Sequence, residues 1–169
     1  MKKMFFSALA LCAFAINSNA QATATATATA TIVTPISITK TADMSFGNIA
    51  VQAGTGGTVT LTPAGTRSTG GAGGVTLPAT TGTVTAAAFT VNGNGSYTYA
   101  ITLPGTVTLT RASGSETMDA DNFTSTPNGT GTLSGGTQNL TVGATLTVAA
   151  AQVPGVYTSG NFNVTVNYN

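Results

Sequence analysis

Residues 22–34 read Ala-Thr-Ala-Thr-Ala-Thr-Ala-Thr-Ala-Thr-Ile-Val-Thr. Strict alternation of two residue types is the period of a β-strand, whose successive side chains point to opposite faces. No Gly or Pro interrupts the run, and at ~3.3 Å per residue its 13 residues extend roughly 43 Å, longer than an ordinary strand. A strand of this kind at a free end can pair with an edge of its own domain or with the edge of a neighbouring molecule. The repeat alone leaves both pairings open.

The even positions carry Ala22 to Ala30 and Ile32, the odd ones Thr23 to Thr31 and Val33. Alanine is a weak anchor: at roughly 25 cal/mol per Å² of apolar area, five alanines bury far less than five valines or leucines. The repeat also specifies register poorly, because a slip of two residues restores nearly the same pattern. Any anchoring by strand exchange is therefore expected at Ile32, Val33, Ile36 and Ile38.

Upstream, Lys2 and Lys3 precede an apolar run from Met4 to Ile16, and Ser18 and Ala20 occupy the small-residue positions before a cut. This predicts a signal peptide over residues 1–20, cleaved after Ala20, with the repeat at the mature N-terminus. The apolar run falls short of the ~20 residues of a spanning helix, so no integral membrane segment is expected in the mature chain. Leu9-Ala10-Leu11-Cys12 superficially resembles a lipidation signal, but Leu11 stands where a small residue belongs. Export to the periplasm, the cell surface or the extracellular medium is the expectation.

The expected mature chain has no Cys, His or Trp, because Cys12 is the only cysteine and lies in the leader. It can form no disulfide. Its charges are Lys40, Arg67 and Arg111 against Asp43, Glu116, Asp119 and Asp121. So few cations exclude nucleic acid as a partner and give no electrostatic hold on a membrane surface. Threonine supplies 36 of the residues from Gln21 onward, about a quarter. Its branched Cβ favours strands, and its hydroxyl keeps a surface wet without ionisation. Low charge also removes one common guard against edge-to-edge association.

Short alternating segments with turn residues between them continue to the C-terminus. Strands are expected within Ile32–Thr41 (broken at Pro35), Met44–Val51, Thr58–Thr62, Val75–Leu77, Thr83–Val91 and Ser96–Leu103. Further strands are expected within Thr106–Arg111, Thr117–Thr124, Leu140–Val142, Thr145–Val148 and Asn161–Tyr168, with a glycine-rich loop at Ser68–Gly74. Asn92-Gly93-Asn94-Gly95 carries a hairpin signal, since Asn-Gly pairs tolerate positive φ. Met118 and Phe123 are out of phase within one strand, which points to a bulge. About ten strands at this spacing predict an all-β fold, an antiparallel β-sandwich over residues 35–169 preceded by the 21–34 strand.

Catalytic chemistry finds little to work with. Without His or Cys there is no imidazole base, thiolate or zinc site of those ligands. No base stands near a Ser or Thr in sequence, no enzyme activity is expected, and no cofactor is implied. The one acidic cluster, Glu116, Asp119 and Asp121, offers hard oxygens that could hold calcium, though a solvated strand end or turn is the better explanation and no metal site is expected. Gly70–Gly74 lacks the helix and Gly-Lys-Thr of a phosphate cradle. Arg67 and Arg111 are each candidates to meet a ligand carboxylate, or simply to be solvated. Tyr97, Tyr99 and Tyr157 are the candidates for a carbohydrate platform.

Ala30-Thr31-Ile32-Val33-Thr34-Pro35-Ile36, Met44-Ser45-Phe46-Gly47 and Gly57-Thr58-Val59-Thr60-Leu61 resemble the start of the exported bacterial family called domain of unknown function 4402. Phe89-Thr90-Val91 and Tyr97–Pro104 fit the same pattern, as do Leu140–Leu146, Gly155-Val156-Tyr157 and Val164–Tyr168. The ending more distantly resembles spore coat protein U and the archaic chaperone–usher pilins. That second resemblance implies an immunoglobulin-like subunit completed by a neighbour's N-terminal strand, although this chain lacks their usual disulfide. Two functions follow as expectations. One is a structural subunit of a surface fibre, pilus or coat, with self-association or other fibre subunits as partners and a periplasmic chaperone. The other is a self-contained sandwich that binds carbohydrate or another surface ligand.

Overall fold

The computed structural model describes residues 21–169, and among them every regular element is a strand. In chain order these are β1 (Ser37–Ala42), β2 (Ser45–Phe46), β3 (Ala50–Val51), β4 (Gly57–Leu61), β5 (Arg67–Gly70), β6 (Val75–Thr76) and β7 (Val84–Thr85). There follow β8 (Ala87–Asn92), β9 (Thr98–Thr102), β10 (Val107–Arg111), β11 (Thr117–Thr126), β12 (Thr130–Thr132), β13 (Thr137–Val148), β14 (Tyr157–Ser159) and β15 (Thr165–Tyr168). The expected signal peptide lies outside the described residues.

All pairings are antiparallel. The main sheet runs β1-β8-β13-β11-β10-β14, with β4 and β5 added beside β13. The second sheet is β12-β9-β15, and β2-β7 and β3-β6 form two-residue ladders. At its centre is β13, read from sequence as two short strands and found as one of 12 residues. One edge of β13 serves two partners in succession. Thr137–Val142 pair with β8, and Ala144–Val148 pair with β4. Gly143 stands at the handover, where a Cβ would meet the backbone of Leu61, Thr62 and Pro63. Only glycine lets the two neighbours share that edge.

Two apolar cores result. Val59, Leu61, Leu146 and Val148 pack with Phe46, Val75, Ala120 and Ala144 in the first. The second places Val91, Leu140 and Val142 of the main sheet against Tyr99 and Val166 of the second sheet, with Leu133 between strands. This face-to-face packing is the expected sandwich. Met44 and Phe123 touch both cores and join them. The bulge also falls where the phase change predicts it. Pairing of β11 with β13 shifts between Asp121 and Thr124, with Asn122 at φ 46°, so Ala120 and Phe123 both turn inward.

Three sequence expectations are corrected. Asn92–Gly95 is not a hairpin: β8 already has β1 and β13 on its two edges, so β9 cannot pair with it and joins the other sheet. The segment crosses between sheets, tied by Gly93 N–H to Gly136 O at 2.9 Å and Asn94 N–H to the Tyr168 hydroxyl at 2.6 Å. The tight hairpin lies instead at Gly135-Gly136, both at positive φ, between the bridged residues Ser134 and Thr137. Ser68–Gly70, read as loop, belongs to strand β5 because Thr58–Leu61 offer it a free edge.

The third correction concerns the opening segment. Residues 21–36 carry no strand pairing in the structure, and the first strand begins at Ser37. The Ala-Thr repeat from Ala22 to Thr31 is exposed throughout. Contacts divide the chain between Ile32 and Val33, so that Val33–Asn169 form one compact unit. A strand needs a partner edge to fill its backbone hydrogen bonds, and among the described residues the repeat has none.

Candidate strand-acceptor cleft

Three strands of the main sheet, β1, β14 and β5, are paired on one side only, and two of them, β1 and β14, concern the cleft. Both line the same cavity, β1 through Ile38 and Lys40 and β14 through Tyr157, Thr158 and Ser159. That cavity holds about 580 Å³. A second, of about 680 Å³, is bounded by Ile49, Ala50 and Val51 on one side and Gln152–Tyr157 on the other. Met44, Phe46, Leu109 and Tyr157 line both. The two cavities thus make one cleft along the open side of the curled sheet.

Its floor is core. Ala120 and Phe46 line the first cavity and Leu146 and Val148 the second, yet each is at most 8 % exposed as a residue. The walls are mixed: Phe89, Val107, Phe123, Phe162 and Val164 line the first cavity with Thr158, Ser159, Asn161 and Asn163, and Met118 lines the second with Asn48, Thr83 and Gln152. The Phe123 and Phe162 rings pack at 5.6 Å between centroids, fixing the chain between β14 and β15 against the wall. A polar rim is supplied by Lys40, whose ammonium lies 2.6 Å from Asp43 Oδ1. A cleft of mixed polar and apolar lining that is bordered by two sheet edges suits an extended peptide.

The four anchor candidates separate. Ile36 and Ile38 already pack against the second core, and Val33 is half-buried. Ile32 is 93 % exposed. Of the four, only Ile32 keeps nearly all its apolar surface available to a partner.

The acidic cluster does not converge. Glu116 accepts from Arg111 Nε at 2.6 Å, Asp119 from the Thr108 hydroxyl at 2.7 Å, and Asp121 from the Asn122 amide at 2.9 Å. Among the described residues no three His, Cys, Asp or Glu side chains group to hold a metal. The Arg111 hydrogen bond, with backbone N–H groups adding to it, lowers the Glu116 carboxyl from 4.5 to about 2. Arg67, read as a loop residue, is instead a clip. Its guanidinium donates to Phe46 O, to Asn48 O at 2.8 Å and to Thr81 O at 3.4 Å, holding the lip of the cleft at β2. Neither arginine is free for a ligand carboxylate.

The tyrosines do not form one platform. Tyr99 is fully buried and donates to Gln138 Oε1 at 2.7 Å, with burial raising its pKa above 10.0. Tyr157 donates to Val153 O at 2.6 Å. Tyr97 is 46 % exposed and packs on Tyr168 at 5.6 Å between centroids. The residue that sequence reasoning missed is Tyr168. Its hydroxyl accepts from Asn94 N–H and donates to Thr34 O at 2.9 Å, tying the root of the opening segment to the end of the chain.

Among the described residues no helix is long and apolar enough to cross a membrane. A sequence model of the family described as Domain of unknown function (DUF4402) matches residues 36–168. No curated protein and no solved structure matches the chain.

Proposed function

We propose that this chain, which belongs to the Domain of unknown function (DUF4402) family, is a non-enzymatic structural subunit of an exported surface fibre, pilus or coat that assembles by strand exchange. In this reading the segment Ala22–Thr34 of one copy lies in the cleft of the next. The observation that carries it is a pair of complementary deficits in one chain. Among the described residues an alternating segment pairs with no strand, and the β1 and β14 edges of the main sheet border a cleft whose floor reaches down to core residues.

Strand addition would remedy both. The inserted backbone gains hydrogen-bond partners at a sheet edge, and its inward side chains cover apolar floor. Alanine on that face adds small apolar contacts to the cleft, while threonine on the other keeps the outer surface wet. Ile32 supplies the anchor. An unpaired segment and open sheet edges also call for temporary cover before assembly, which is the part a periplasmic chaperone would play.

Deleting Gln21–Thr34 from the secreted protein tests the reading. The truncated chain is expected to keep its fold and remain monomeric, while the full chain forms concentration-dependent oligomers. A synthetic peptide of residues 21–34 should bind the truncated chain, read by isothermal titration calorimetry. A full chain that stays monomeric at every concentration, or a truncated chain that unfolds, would refute it.

A further inference from the structure

The segment that would fill a neighbour's cleft is attached directly to β1, which lines the cleft of its own domain. Insertion into its own cleft therefore competes with insertion into another copy, and at high effective concentration. To return along β1 the chain must reverse within Val33-Thr34-Pro35-Ile36, immediately before Ser37. Tight hairpin turns need positive φ at one or both central residues, which Gly, Asn and Asp supply. None of those residues is present here. Pro35 is locked near φ −65°, Thr34 is held extended by the proline after it, and both Thr34 and Ile36 are β-branched.

A second restraint acts at the same point. The Tyr168 hydroxyl donates to Thr34 O at 2.9 Å and accepts from Asn94 N–H at 2.6 Å. Asn94 lies just beyond the end of β8, which pairs Asn92 with Ser37 at the start of β1. The carbonyl that would have to rotate in a reversal is thus pinned to the outer end of the β1-β8 ladder. Tyr168 itself is held by β15, where it pairs with Tyr99, and by its ring contact with Tyr97.

Building on the strand-exchange reading, we infer that Pro35 and the Tyr168 hydroxyl bar the Ala22–Ile32 segment from doubling back onto its own β1 edge and so favour its pairing with a second copy of this chain. Tyr168 is a positioning residue: it acts through the root of the segment and touches no acceptor surface.

Two variants test this. Tyr168→Phe keeps the ring and removes both hydroxyl hydrogen bonds, of which only the one to Thr34 O restrains the segment. Pro35→Gly touches no core residue and supplies the conformational freedom a reversal needs. Amide hydrogen exchange over residues 22–32 is measured in the dilute monomer, together with the oligomer fraction on concentration. Each variant is expected to raise protection of the segment in the monomer and to lower assembly. The change should be about five-fold for Tyr168→Phe, the factor for a hydrogen bond worth about 1 kcal/mol. A variant that merely loosened the fold would lower protection instead. If the unaltered chain assembles, and both variants assemble equally well with the segment unprotected, the inference falls and strand exchange stands. If the unaltered chain never assembles, both fall together.

Discussion

Truncating Ile32 separates a donated segment from an ordinary surface tail. The side chain is 93 % exposed, so Ile32→Ala removes no packing within its own fold. Its effect on the melting temperature of the monomer should correspond to less than about 0.5 kcal/mol, as for other free surface positions. In an assembled pair the same side chain is expected in the neighbour's cleft. Isoleucine exceeds alanine by three methyl-sized groups, each worth about 0.8 kcal/mol when buried, which sets a ceiling near 2.4 kcal/mol. Allowing for incomplete burial leaves about 2 kcal/mol, or roughly a 30-fold weaker association at each junction. Sedimentation velocity over a dilution series reads that shift directly. Phase supplies the control. Ala26 shares a face with Ile32 and Thr27 lies on the other. A carboxylate at position 26 would be driven into apolar floor, whereas one at 27 would face water. Ala26→Asp should therefore abolish assembly and Thr27→Asp should leave it nearly intact. Equal behaviour of the two aspartates, or an Ile32→Ala chain that assembles at the original midpoint, would refute the reasoning. So would a lowered monomer melting temperature, because it would place Ile32 in its own core.

Gly143→Val should destabilise the domain by about 3 kcal/mol in urea titration, because the added Cβ meets backbone at Thr62 C (2.7 Å) and Pro63 N (2.9 Å) rather than a movable side chain; a loss under about 1 kcal/mol would show that β8 and β4 can part cheaply. Glu116, lowered from 4.5 to about 2 by Arg111, contributes stability that is complete above pH 4.5 and lost as pH falls through about 2. The melting-temperature gap between the parent and Glu116→Gln should accordingly close across that window, and a gap unchanged at pH 2 would contradict the pairing. Tyr99, raised above 10.0 by burial, stabilises the fold in its neutral form, so stability should fall as pH rises past 10. Tyr99→Phe should flatten that alkaline slope at a cost of about 1 kcal/mol for the lost bond to Gln138, read by chemical denaturation.

What the sequence made legible was local. Alternation in Thr58–Thr62 and Thr106–Arg111 marked strands because period two survives whatever the partner. The phase change from Met118 to Phe123 marked the bulge, since inward residues on both sides must reach the same core. What failed was decided by competition for edges. Asn92-Gly93 is a sound turn pair, but β8 has no edge left for β9, and no local pattern records that occupancy. Tyr97 and Tyr99 look like partners on one face until β9 is seen to begin at Thr98, which leaves Tyr97 in the preceding turn. The cleft was out of reach for the same reason. It exists because the curl of six strands brings Ile38 and Tyr157 to the walls of one cavity.

The thin alanine face, a weakness when the repeat is read as a strand alone, fits the role proposed for it. A segment rich in valine or leucine that stays unpaired until it meets a neighbour would aggregate, since exposed apolar β-prone runs template one another. Alanine and threonine keep β propensity moderate and apolar area small, so backbone hydrogen bonds to a sheet edge must supply most of the affinity. That makes binding depend on an open edge being present, which the β1 and β14 edges offer and a random apolar patch does not. The weak register of the repeat is then corrected at one end. Ile32 ends the alanine face, and the next residues, from Val33 on, belong to the folded unit. A single large side chain beside a fixed root sets position with little added stickiness. Moving it should move the register: exchanging Ala28 and Ile32 ought to shift the inserted segment by four residues, about 13 Å, without changing its composition. Crosslinking from position 30 to a cysteine placed at Thr158 would report that shift. An unchanged crosslink would show that the backbone alone, and not Ile32, sets the register.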